Sequence, residues 1–112
     1  MSVEEQFAAV DGACMLVGNH GAGLTWGAML PTESQASAVI ELWANESSDG
    51  LPQDIGHFCN ANGALHVPLA QQTTDACRGK LVRACGDIIV DADLLVRTIA
   101  STAHALRHFA HR

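Results

Sequence analysis

The sequence predicts an α/β domain built on a small, three-layered parallel sheet, and three observations carry that expectation. Short apolar runs of strand length alternate with segments of helical period. A glycine-rich turn with Gly18, Gly21 and Gly23 joins one such run directly to a small-residue helix. Ala38 to Trp43 (AVIELW) is apolar almost throughout, as in a strand buried on both faces of a parallel sheet. Strand, helix, strand in succession implies right-handed crossovers. At 112 residues the chain is one domain at most, read as a single partial domain over 1–112, of a size that buries roughly two-thirds of its unfolded surface.

Ser2 with Glu5 three residues on is a capping-box start, and Val3, Phe7 and Val10 give a first helix one apolar stripe before Asp11-Gly12 ends it. The first strand is expected over Ala13 to Val17. A helix over Ala22 to Met29 follows, broken by Pro31, and Ala38 to Trp43 forms the second strand. Turn formers from Asn45 to Pro52 lead into a helix over Gln53 to Asn62, with Ile55, Phe58 and Cys59 inward and Gly63 as its stop. Leu65, Val67 and Leu69 alternate with His66 as a third strand, where Pro68 marks an edge or an end. Ala70 to Gly86 shows no period and reads as a loop with a short helical piece. Asp91 or Asp93 then caps a closing helix to about Phe109, whose inward stripe is Leu95, Ile99, Ala103, Leu106 and Ala110.

An apolar fraction of 48% is that of a core-forming chain. Six Lys and Arg against twelve Asp and Glu give a formal charge of −6, which disfavours nucleic acid and anionic membrane as partners. No stretch has the apolar length of a membrane span. The four cysteines lack zinc-ribbon spacing; Cys14 and Cys59 read as core thiols, while Cys77 and Cys85 flank a polar, basic loop.

The glycine turn is a phosphate-binding arrangement. The first amides of a helix have no internal partner and carry about half a positive charge, so the segment Gly21, Ala22, Gly23 and Leu24 would hold a diphosphate without any Lys or Arg. A plain structural turn uses glycine in the same way. His20 could hydrogen-bond a phosphate or fix the loop, and it suits stabilising a leaving diphosphate better than acting as a catalytic base. Thr25 could add its hydroxyl to the phosphate or cap the turn. Glu41, near the carboxyl end of a parallel strand, is placed either to take ribose hydroxyls or to face solvent or an Arg. His104 and His108 are one helical turn apart, but with Arg97, Ser101 and His111 they trace the face opposite the apolar stripe. A solvated face is the simpler reading, and no metal is assigned. Trp26 and Trp43 are read as core residues before base-stacking ones.

The wording Asn19-His20-Gly21-Ala22-Gly23-Leu24-Thr25, with Val17-Gly18 before it, Leu30-Pro31 after it and Val39-Ile40-Glu41-Leu42 in the next strand, resembles the signature of the family 61 glycosyltransferases. Ser2 to Gln6, His57-Phe58 through Val67-Pro68-Leu69, and Asp91 to Leu95 resemble its flanking elements. The resemblance departs at Trp26, at Met29 and in the long turn Pro31 to Ser37, which leaves the pocket's shape open. It implies a Rossmann-like sheet forming part of the C-terminal domain of a GT-B enzyme. It also implies inverting transfer from a nucleoside-diphosphate (UDP) sugar to a glycan or protein hydroxyl, with the acceptor side supplied by an N-terminal half and no cofactor required. His20, Gly21, Ala22, Gly23, Leu24 and Thr25 would then hold the donor phosphates and Glu41 the ribose. Golgi or ER lumen is the implied location, where Cys77 and Cys85 could pair or stay reduced. The alternative is a truncated, non-catalytic binding or interaction module that keeps the fold.

Overall fold

The computed structural model describes residues 2–20, 22–33, 35–44, 54–73 and 88–110. It is a mixed α/β fold. Helix α1 (Val3–Asp11) opens as its sequence suggests, with the Glu5 amide donating to Ser2 Oγ at 3.1 Å. Strand β1 is Met15–Asn19 and runs beside β2 (Ala38–Ala44), which pairs in turn with β3 (Leu65–Thr73), all three parallel. A two-residue strand β4 (Ile88–Ile89) pairs antiparallel with the end of β3, at Gln72 and Thr73. The order β1-β2-β3-β4 is sequential. Consecutive parallel strands that step in one direction through right-handed crossovers put both connections on the same face. Those connections are a 3-10 helix (Ala22–Met29) and helix α2 (Asp54–Asn62).

Side chains alternate across the strands, so Leu16 and Gly18 of β1, Val39 and Glu41 of β2, and His66 of β3 share the face under these two helices. The main core lies there: Val10, Leu24, Leu30, Val39, Ile55, Cys59 and Ala64 are buried together, and Leu16 and Trp26 pack against them. Fully burying a side chain such as Ile55 stabilises the fold by roughly 1.5 to 3 kcal/mol. Helix α3 (Ala92–Ala110) lies toward the opposite face, where Leu65 and Val67 look across a hollow at Leu94, Thr98 and Thr102.

Several expectations are corrected. β1 sits two residues later than the Ala13 to Val17 run, because its ladder with β2 pairs Met15 with Ala38 and continues to Asn19 with Leu42. Gly18 is therefore a strand residue, and the space its missing side chain leaves is taken by Leu24, 3.3 Å from where a Cβ would stand. The segment Ala22–Met29 winds as a 3-10 helix throughout. Its Gly27 is pressed so close to β2 that a Cβ would lie 2.7 Å from Val39 Cγ2. Phe58 is largely exposed, and so is Cys14, which leaves Cys59 as the core thiol of the two. Pro68 stands in mid-strand and not at a strand end, paired with Glu41, and the other flank of this stretch of β3 is unpaired among the described residues, which is the edge placement expected of it. On α3 it is Thr102 and Leu106 that are buried, while Leu95, Ile99 and Ala103 are half-buried.

Other local rules hold. Gly63, at φ 83°, ends α2 in a Schellman turn: the Ala64 amide donates to the Cys59 carbonyl at 2.9 Å and the Gly63 amide to that of Asn60 at 3.2 Å. Asp91 caps α3, its carboxylate accepting from the Leu94 amide at 3.0 Å, and its own amide donates to buried Gln71 of β3 at 2.8 Å. Cys77 and Cys85 lie outside the described residues, as do residues 45–52.

Candidate functional site

Glu41 lies in the middle of the central strand, with Gly18 and Pro68 as its lateral neighbours. Neither neighbour carries a long side chain, so the space around the carboxylate is open to residues one row away along each flanking strand. His20 follows β1 directly, and its backbone amide donates to the Leu42 carbonyl at 2.7 Å, extending the ladder by one rung. That places its side chain two residues beyond Gly18, on Glu41's face of the sheet. On the other flank His66 is paired with Val39, two residues before Pro68.

The three side chains meet. His20 Nδ1 bonds one carboxylate oxygen, Oε2, and His66 Nε2 bonds the other, Oε1, at 2.7 Å. Glu41 is fully buried, whereas the two imidazoles keep about 16% and 15% exposure. An ionised carboxylate only accepts, so both contacting ring nitrogens carry hydrogen and donate. When the rings are neutral, His20 Nε2 and His66 Nδ1 are consequently the bare nitrogens. Among the described residues no Lys or Arg reaches this carboxylate, and no buried side-chain polar atom lacks a partner. A buried carboxylate needs such donors, because its charge is costly away from water.

Cys59 of α2 lies under the same face. Burial pushes its thiol above the usual range, and the negative charge of Glu41 pushes it the same way. A thiol so placed stays protonated and serves packing, not nucleophilic attack.

The expected site residues divide. His20 and Glu41 come together, which sequence spacing did not show. Leu24 is buried, with its side chain against Gly18, so only its backbone is available to a ligand. Thr25 is exposed on the 3-10 helix, and Ala22 and Gly23 form that helix's start; Gly21 lies outside the described residues. Trp26 is committed to α1, its indole N–H donating to Gln6 Oε1 at 3.0 Å and its ring tilted at 56° to Phe7. The resemblance implies a ribose role for Glu41; in the structure both of its oxygens are bonded to imidazoles. His104 and His108 are exposed on α3, His111 lies outside the described residues, and no three metal-ligating side chains converge among those described.

Two residues escaped the sequence reading. His66 read only as the polar member of an alternating strand, and its link to Glu41 depends on the parallel register. Asn62, the last residue of α2, donates to the carbonyls of Gly27 and Leu30 at 2.9 Å each, while its own carbonyl accepts from Thr32 Oγ1 at 2.8 Å. It clamps the end of the 3-10 helix. A hollow of about 420 Å³ between β3 and α3 opens on the opposite face from Glu41 and does not belong to this cluster.

The chain matches no protein-family model, no curated protein and no solved structure. No helix among the described residues is long and apolar enough to cross a membrane.

Proposed function

We propose that this chain forms the nucleotide-sugar-binding part of a family 61-like inverting glycosyltransferase, in which an acceptor hydroxyl displaces a nucleoside diphosphate from an activated sugar. One observation carries the reading: the histidine that opens the HGAGLT wording leaves the sheet with its Nδ1 fastened to a buried carboxylate. The diphosphate would lie on the amides of Gly21 to Leu24, with the Thr25 hydroxyl and His20 Nε2 beside it. With Nδ1 occupied, Nε2 donates to a phosphate when the ring is an imidazolium. As the acceptor oxygen bonds the sugar carbon and gives up its proton to a base on the acceptor side, the sugar–phosphate bond breaks and its electron pair passes to the phosphate oxygen. Preset donors are most useful where that charge develops. In this proposal Glu41 acts behind His20 and does not touch the ribose.

A second reading, a binding module without transfer activity, is favoured by one specific fact. Glu41 is the carboxylate beside His20 among the described residues, and both of its oxygens are engaged, so it is not available as a base toward an acceptor. The two readings share the diphosphate site. Gly23→Val tests it: the variant should stay folded and lose calorimetric binding of uridine diphosphate, because a side chain would occupy the phosphate position. Equal affinity in the folded variant removes the phosphate role, and release of sugar or its transfer from a UDP-sugar by the chain separates enzyme from module.

A further inference from the structure

We infer that His66 is a positioning residue: by holding one oxygen of Glu41 it fixes the carboxylate that orients His20, and so sets which nitrogen of His20 faces the ligand side. The inference rests on the diphosphate-site reading for its functional meaning but on geometry for its physical content. Glu41 is fully buried, with two oxygens and two imidazole donors, one from each flanking strand. A carboxylate held by one donor alone can turn about its terminal torsion, which is broad. Held from both sides it cannot turn without breaking a bond to one ring.

The setting of His66 is itself tight. It faces α2 at Gly56, where a Cβ would come within 3.1 Å of His66 Nδ1, so the helix passes close over the ring and side-chain bulk there would displace it. Gly56 is on the buried side of α2, next to Ile55. Among the described residues, the charged or titratable groups on this face from the elements packed around the cluster are Glu41 of β2, His20 after β1, His66 of β3 and Cys59 of α2. Among the described residues only the two imidazoles donate to the carboxylate. Removing His66 therefore leaves an oxygen that no other described side chain is placed to satisfy.

A three-part experiment on the full 112-residue chain decides the matter. Ring nitrogen-15 shifts of the wild type should show Nε2 protonated in His66 and Nδ1 protonated in His20; a bare Nε2 on neutral His66 would overturn the inference without any variant. In His66→Leu the ring signals of neutral His20 should become a mixture of tautomers. Affinity for inorganic pyrophosphate at acid pH, where an imidazole carries hydrogen on both nitrogens, should fall by roughly tenfold, the scale of one charge-assisted hydrogen bond, because the ring is no longer held with Nε2–H toward the ligand. His66→Gln, whose side-chain N–H can stand near the lost Nε2–H, should restore the wild-type pattern of His20 and most of the affinity. A folded His66→Leu that keeps the wild-type His20 tautomer contradicts positioning, and a His66→Gln that fails to restore it does the same. If the wild type does not bind pyrophosphate at all, the diphosphate reading fails while the nitrogen shifts still decide the role of His66.

Discussion

His20 and His66 lie on one face of the sheet and His104 and His108 on the outer side of α3, and the two pairs differ in nearly everything except residue type. The first pair is far apart in sequence, mostly buried, and joined through one carboxylate. The second pair is a single helical turn apart and exposed. Sequence spacing draws attention to the second pair, since neighbours at four residues share a helix face. The structure shows chemistry concentrated at the first. What separates them is a buried acid: Glu41 must have donors, and meeting that need ties two strands together at the head of the glycine-rich segment.

The largest break in this comparison is Glu41→Ala. Losing the shared acceptor and leaving a cavity should cost about 3 kcal/mol, near the lower end of the loss for breaking a buried ion pair because imidazoles can shed their charge. Urea denaturation measures it, and a loss no larger than that of His104→Gln would erase the contrast. Gly27→Ala should come next. Its Cβ would stand 2.7 Å from Val39 Cγ2, two residues along β2 from Glu41, and overpacking of this kind costs roughly 1 to 3 kcal/mol. An unchanged denaturation midpoint would contradict the close seating of the 3-10 helix on β2.

Cys59 sharpens the comparison in alkali. Its folded-state thiol is raised by burial and by Glu41, so the fold binds the thiol proton more tightly than the unfolded chain does. The resulting stability is fully present below the unfolded thiol's value of about 8.5 and declines as pH rises past it. Stability measured from neutral pH upward should fall, and Cys59→Ala should flatten that slope while lowering stability at neutral pH. In a peptide-resolved alkylation Cys14 should react well before Cys59. The smallest effect belongs to the outer pair: His104→Gln and His108→Gln should each change stability by about 0.5 kcal/mol or less.

Much of the architecture could be read from residues whose local chemistry has one outcome. Ser2 and Asp91 caps, the Gly63 stop and the continuous apolar run of β2 all follow from short-range rules. The misplaced parts depend on register and packing. Ala13 and Cys14 have the apolar character of a strand, yet the ladder partners of β2 begin at Met15, and no local signal separates those two readings. The 3-10 winding of Ala22–Met29 is joined to close seating of Gly27 against Val39 and to the Asn62 clamp, both of which come from elsewhere in the chain. Phe58 has the spacing of an inward residue on α2, but Ile55 and Cys59 fill that line of the helix. Glu41 and His20 were each visible as polar residues in places that suit a site. That they touch, and that His66 completes them, required the parallel pairing of three strands.

The central claim, that the Glu41-held His20 serves a diphosphate, is tested most directly by calorimetric titration of the folded chain with uridine diphosphate, comparing wild type with His20→Ala. The account predicts saturable binding by the wild type, a loss of roughly 1.5 to 3 kcal/mol in His20→Ala, and no change in a His104→Gln, His108→Gln control. Equal affinity in a folded His20→Ala variant, or no binding by the wild type, would contradict it.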